Sequence, residues 1–310
     1  MARTKRWLLF LVPVVAMCAA AWAWTASAPR PIFPLHHASN LEPGDAGRGK
    51  LVFEAADCGS CHASPGQDDR LKLGGGMVLD SPYGPFHAPN ISPDPNDGIG
   101  SWTTADLANA LLTGVSPEGE HLYPTFPYSS FAHMKLDDVR DLMAYLSSLP
   151  AVAGRTPPHE LTFPLTIRRA IGLWKLLFLD RSPVVDDPGR DAAWNRGHYL
   201  VEALGHCAEC HSTRNIFGAV EDATRFAGGP DPSSVGYSPN ITPSAIGTWS
   251  PEQISEALRT GVTPGLRVLG SSMADVIYNA ALLPPGDRDG IAAYIKTLPA
   301  RPTPNPAASQ

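Results

Sequence analysis

Two stretches of this 310-residue chain have the residue types and spacing to hold a metal-bearing group: Cys58-Gly59-Ser60-Cys61-His62 and Cys207-Ala208-Glu209-Cys210-His211. Both read C-x-x-C-H. Two thiols at that spacing can form thioether links to the vinyl groups of a porphyrin, and the following histidine keeps a ring nitrogen free to bind its iron. The chemistry predicts two covalently bound c-type haems. Cys58, Cys61, Cys207 and Cys210 would be the anchors, and His62 and His211 the proximal iron ligands. Two competing readings exist. A redox-active dithiol in each pair leaves the histidines unexplained, and a four-thiolate zinc ribbon needs all four cysteines in one cluster. The two histidines stand 149 positions apart (211 − 62), in separate halves of the chain.

The elements that must position these motifs occur twice. Gly49 and Gly197 each follow an arginine and precede the first cysteine by a helical stretch. Gly74-Gly75-Gly76 corresponds to Gly228-Gly229, and Asn90-Ile91-Ser92-Pro93 to Asn240-Ile241-Thr242-Pro243. Ile99-Gly100-Ser101-Trp102 matches Ile246-Gly247-Thr248-Trp249, and the segments ending in Thr113-Gly114-Val115 and Thr260-Gly261-Val262 match as well. The offsets stay between 147 and 153, the pattern of a gene duplication with each copy the size of a domain.

Each copy reads as mainly α. Ser250 can cap a helix from Pro251, with Gln253 at the capping-box position and Gly261 as its stop; Thr103, Asp106 and Gly114 take the same places in the first copy. The last helices carry Val139, Leu142, Met143 and Leu146, then Ile291, Tyr294, Ile295 and Leu298, at helical spacing. No alternating stretch is long enough for a sheet. The expected organisation is a signal peptide or N-terminal membrane anchor over 1–28 and a haem domain over 40–150. A Pro-rich connector follows over 151–190, then a second haem domain over 191–300 and a flexible tail over 301–310. Within the connector, Ile167, Ile171, Trp174 and Phe178 predict a short amphipathic helix in Thr166 to Asp180. It could clasp the two copies, dock on a partner subunit or lie on a membrane.

Arg3, Lys5 and Arg6 precede an uncharged apolar run of 18 residues, Trp7 to Trp24, the form of an export signal. Ala26-Ser27-Ala28 resembles a cleavage site, but Pro29 should hinder cutting, so a retained anchor and a cleaved signal both stay open. Cys18 lies mid-run and reads as an ordinary apolar residue. With the basic end inside, both motifs face the periplasm. The formal charge of −6 becomes −9 once those three basic residues are set aside (−6 − 3), which argues against nucleic acid as a partner.

Both copies resemble class I cytochrome c domains. The chain from about 40 to 300 resembles the cytochrome c subunits of bacterial membrane-bound alcohol, gluconate and aldehyde dehydrogenases. The match is carried by Asn90-Ile91-Ser92-Pro93-Asp94, Gly98 to Thr103, Leu122-Tyr123-Pro124 with Phe126-Pro127-Tyr128, and Trp194-Asn195-Arg196-Gly197 through Cys207. The resemblance implies that Gly49 and Gly197 let the first helix of each copy cross closely against Tyr145 and Tyr294. It also implies a methionine as sixth iron ligand. Met273 matches that position in the second copy, and no other methionine follows Cys207. The first copy departs from the pattern, with Phe126 where many relatives have methionine. Met134 is the leading substitute; His133 and His121 are rivals, and Met77 or an open iron stay possible.

The resulting expectation is a periplasmic diheme electron carrier. It would take single electrons from a dehydrogenase subunit toward a quinone or terminal-oxidase pathway protein, with no substrate chemistry of its own. Membrane association would run through Trp7–Trp24 if uncleaved. A diheme peroxidase with an open first iron and a free-standing soluble carrier are the alternatives.

Overall fold

The computed structural model describes residues 2–35, 41–232 and 236–304, with side chains described from residue 12 onward. The N-terminal apolar run is helix α1 (Ala2–Ala26), which contains Pro13. Among the described residues no helix is long and apolar enough to cross a membrane. The side chains of 7–11, part of the segment expected to serve as an anchor, lie outside them.

The first copy comprises α2 (Ala46–Ala55), α3 (Cys58–His62), α4 (Thr104–Thr113), α5 (Tyr128–Phe131) and α6 (Leu136–Leu146). The connector holds α7 (Ala170–Phe178). The second copy comprises α8 (Ala192–Tyr199), a π-helical turn Leu200–Leu204, α9 (Cys207–Cys210), α10 (Pro243–Ile246), α11 (Pro251–Thr260), α12 (Met273–Leu282) and α13 (Pro285–Ile295). Besides three isolated antiparallel bridges, the described β-structure is two antiparallel two-residue ladders, Val78–Leu79 with Phe86–His87 and Gly229–Pro230 with Tyr237–Ser238.

Local sequence explains the helix ends. Asp45 and Asp191 cap α2 and α8 by accepting the N–H of Arg48 and of Trp194. Both capping boxes form, Thr103 with Asp106 and Ser250 with Gln253, and both helices stop at a left-handed glycine, Gly114 and Gly261.

In each copy the first helix crosses the last at a glycine. A Cβ on Gly49 would stand 1.9 Å from the Asp141 carbonyl oxygen, and one on Gly197 would stand 1.8 Å from that of Gly290. The crossing meets Tyr145 in the first copy as expected. In the second the closest approach is at Gly290, the equivalent of Asp141, and Tyr294 packs further along against Trp194 and His198. An arginine bridges each crossing: Arg48 to Asp141 at 2.6 Å and Arg196 to Asp287 at 2.8 Å.

The copies differ by one residue between this crossing and the motif. Gly49 precedes Cys58 by nine positions (58 − 49), Gly197 precedes Cys207 by ten (207 − 197), and the extra residue is absorbed by the π turn. That turn also joins the two cores. Leu200, Ala203 and Leu204 are buried with Phe53, Leu107 and Leu142 of the first copy. Val201 is buried with Phe226, Ile254 and Ile295 of the second.

The connector helix is shorter than predicted. Tight turns from Thr162 to Ala170 precede it and leave Ile167 exposed outside it. Ile171 is buried beside Phe86 and Tyr123. Trp174 stands edge-on to Tyr128 of the first copy at 6.5 Å, and its Nε1–H donates to the Phe217 carbonyl of the second at 2.9 Å. Each copy is closed by a strap. The Asn90 amide donates to the carbonyls of Val152 and Gly154, and the Asn240 amide to that of Arg301. Arg301 to Pro304, expected to belong to a flexible tail, are therefore held: the Tyr237 hydroxyl also donates to the Pro304 carbonyl. Residues 305–310 lie outside the described residues.

Candidate functional site

Both C-x-x-C-H segments are short helices entered through a left-handed residue, Asp57 at φ 54° and His206 at φ 37°. The histidine that ends each is braced the same way. His62 Nδ1 donates to the Pro89 carbonyl at 2.8 Å and His211 Nδ1 to that of Pro239 at 2.6 Å. A carbonyl partner places the proton on Nδ1 and leaves the Nε2 lone pair for a metal. Burial pushes both imidazoles down the pKa scale, against the opposing pull of these carbonyls, so the rings are neutral at pH 7. A left-handed glycine completes the brace. The N–H groups of Gly75 and Gly228 donate to the His62 and His211 carbonyls, both at 2.9 Å.

The cysteines are unpaired thiols. Burial pushes Cys61 up to about 11 and Cys207 and Cys210 to about 12, with Cys58 higher still. A redox-active dithiol needs a depressed thiol pKa, the opposite of what burial does here. The two pairs also lie on separate helices, α3 and α9. Two neutral thiols beside an imidazole with a free Nε2, present twice, are the donor set a c-type haem requires.

On the distal side the copies differ. The bridges Val115 to His121 and Val262 to Val268 share one register, which sets Met273 in the place of Phe126. Helices α6 and α13 share another, which sets Met134 in the place of Leu283. Met134 is buried in the first core, whereas Met273 is partly exposed at the start of α12. Phe126 packs its ring on Tyr128 and Phe131. His121, a rival for the first iron, has both ring nitrogens engaged. Nε2 donates to the Ser27 carbonyl at 2.8 Å, and Nδ1 accepts from Lys175 at 3.1 Å. His133 is turned to the connector, donating from Nδ1 to the Ser182 carbonyl at 2.5 Å. Met77 lends its carbonyl to the Ala88 N–H. Trp102 and Trp249 pack at the edges of the two cores.

The backs of the two motifs meet the opposite copy reciprocally. Ser60, between the first pair of cysteines, accepts from the Asn279 amide of α12 at 3.1 Å, and the same amide bonds the Asp57 carboxylate. Glu209, in the matching position of the second motif, accepts from the Ser129 hydroxyl of α5 at 2.6 Å and pairs with Arg214 at 2.6 Å. Arg70 bridges to Asp275 at 2.8 Å, and Phe131 stands edge-on to His206 at 5.8 Å. Each cysteine-bearing helix is thus seated on the distal-loop helix of the other copy. Sequence reasoning missed Ser60 and Glu209, which fill the free positions of the motif, and their partners Asn279 and Ser129. It also missed Pro89 and Pro239 as braces, although Pro-Asn-Ile recurs in both copies and carried that signal.

Comparison with known proteins agrees with this geometry. The Cytochrome c family model matches residues 46–150. The chain is 48% identical to a "Diheme cytochrome c-type" protein of Cereibacter sphaeroides over 83% of its own length and 87% of the relative's. It is 35% identical to the fructose dehydrogenase cytochrome subunit of Gluconobacter japonicus over 82% of this chain and 52% of that one. With the cytochrome c subunit of the quinone alcohol dehydrogenase of Gluconobacter oxydans it shares 32% identity over 87% of this chain and 58% of that one. It spans just over half the length of these two dehydrogenase subunits.

Proposed function

The chain belongs to the diheme c-type cytochromes related to the cytochrome c subunits of membrane-bound dehydrogenases, and on that footing we propose that it carries single electrons from a dehydrogenase partner toward the respiratory chain on the periplasmic side. The observation that carries the reading is the duplicated donor set, in which each imidazole is tied by Nδ1 and presents a free Nε2 beside two neutral thiols. A c-type haem bound there supplies a one-electron iron couple. Cys58 and Cys61, then Cys207 and Cys210, hold it; His62 and His211 ligate it, and the carbonyls of Pro89 and Pro239 keep those rings oriented. We assign Met273 as the sixth ligand in the second copy and Met134 in the first. The engagement of His121 by Ser27 and Lys175 supports the latter choice. The reciprocal seating of the motifs keeps the two attachment helices at a fixed separation, as hopping between two centres requires.

We further infer that the N-terminal segment stays on the mature protein. Ser27 is buried, its carbonyl accepts from His121, and Arg169 donates to its hydroxyl at 3.1 Å and to the Trp24 carbonyl at 2.6 Å. Cutting after Ala28 would strip these partners from the buried His121 and from Arg169.

Absorption spectra of the purified protein and of Met134→Ala and Met273→Ala test the ligation. Two low-spin haems per chain are expected, each variant turning one high-spin. A high-spin first haem in the unaltered protein overturns the Met134 assignment, and peroxide turnover overturns the carrier reading. Intact mass decides the N-terminus.

A further inference from the structure

At the foot of α1, a cavity of about 230 Å³ opens between the Ala26–Ala28 backbone, the end of α4 and the face of α7. Its charged lining is entirely basic: Arg30 and Arg181 at the rim, Lys175 and His121 at the floor. Neither rim arginine has an ion-pair or hydrogen-bond partner for its guanidinium among the described residues. The nearby acids are committed elsewhere, Glu120 to Arg168 at 3.4 Å and Asp180 to the Ser182 N–H at 2.8 Å. Lys175 is already saturated by the carbonyls of Thr113 and Gly114 and by His121. Burial, then Arg181, pushes it down to about 7. Burial pushes His121 down too, as do Lys175, Arg169 and Arg168. Four basic groups converge here with no carboxylate in the lining, which marks a place short of an anion.

The surroundings indicate which anion. The described side chains of α1 are largely apolar and exposed from Val12 through Met17 to Trp22 and Trp24, two indoles at the end nearest the cavity. Arg169 lies over the Trp24 ring at 4.3 Å. Across the cavity, α7 exposes Leu177, and its Phe178 touches Phe217 beside the exposed Ile216. Apolar helix, tryptophan belt and basic ring in that order are the layering of a membrane interface, where the basic groups reach the lipid phosphates. We propose that this cavity binds the phosphate of an anionic phospholipid, with Arg30 and Arg181 donating to its oxygens above a floor of Lys175 and His121. The inference rests on retention of the N-terminal segment, which supplies one wall.

Native mass spectrometry of the full chain in neutral detergent tests it, with phosphatidylglycerol, phosphatidylcholine and inorganic phosphate as separate titrants. One phosphatidylglycerol adduct per chain is expected, with no equivalent phosphatidylcholine adduct. The Arg30→Ser/Arg181→Ser variant, which leaves the Lys175 contacts in place, should weaken it about thirtyfold. Its unfolding midpoint should no longer rise with phosphatidylglycerol, whereas that of the unaltered chain should. Equal binding of the two lipids, or a variant that binds as tightly, overturns the site. Inorganic phosphate binding as tightly as the lipid overturns the lipid assignment. The same spectra report whether residues 1–28 are present; their absence overturns the retained segment and this site with it, whereas their presence without an adduct overturns this site alone.

Discussion

Glu209→Ala should loosen the contact between the copies, and the structure sets the scale. Glu209 makes two short charge-assisted hydrogen bonds, to Ser129 across the interface and to Arg214 within its own copy, both at 2.6 Å, and a longer one to the Ser130 hydroxyl at 3.5 Å. A bond of that kind contributes about 1.5–3 kcal/mol net. The two do not count equally: the Glu209 side chain is 11% exposed, but that of Arg214 is 32% exposed, so water recovers much of the second. The Ser129 bond is part-buried at the contact and keeps more of its value. A loss of about 2 kcal/mol follows, a fall in Tm of roughly 3 °C for a chain of this size. Thermal unfolding of Glu209→Ala, Ser129→Ala and the double variant checks it. Because the partners lie in different copies, their coupling energy should be about 1 kcal/mol or more. Effects that add to within about 0.5 kcal/mol would refute the claim that Glu209 ties the copies together.

Other consequences are as definite. Gly75→Ala forces a Cβ to 2.5 Å from the Pro89 carbonyl at φ +68°, and should cost about 1–3 kcal/mol. Since that carbonyl orients His62, the spectrum of the first haem should shift while the second stays unchanged. Gly197→Ala, with its Cβ 1.8 Å from the Gly290 carbonyl oxygen, should destabilise by about 3 kcal/mol, measured by chemical denaturation. Burial pulls the Asp141 pKa up, but the Arg48 guanidinium and the Asp45 N–H outweigh it and hold the carboxyl below its ordinary value. Its contribution to stability is therefore present above the unfolded pKa, roughly 3.9, and lost as pH falls through the lower folded value. Asp141→Asn should remove that part of the acid dependence, read from unfolding midpoints between pH 5 and pH 2 taken as a rough span.

What was legible in the sequence was local. Ser250 with Gln253, Thr103 with Asp106, and the glycines that stop both helices act within one turn of chain, so their spacing predicts their geometry. The repeat aligned the two motifs and Gly49 with Gly197, and the family resemblance implied that these glycines lie at a helix crossing. Contacts between copies were not legible. Ser60 and Glu209 fill the free positions of C-x-x-C, and nothing in the chain around them indicates that Asn279 and Ser129 lie opposite. His121 stood as a rival ligand because an imidazole can bind iron, and its engagement by Ser27, 94 positions away, has no local signature. The connector helix was drawn too long because its apolar spacing continues back to Ile167, where the chain is already turning.

The π turn at Leu200–Leu204 has a consequence for how a duplicated chain can drift. One residue inserted into a regular helix rotates everything beyond it by about 100° and would swing the second motif off its proline brace. The wide turn confines that error to a single loop of backbone, so His211 still meets Pro239 as His62 meets Pro89. The same widening turns Leu200 and Leu204 toward one core and Val201 toward the other. An accident of length has become the hinge pin between two halves, and a deletion of Val201 that straightened the helix would leave each half with a sound interior and no shared wall.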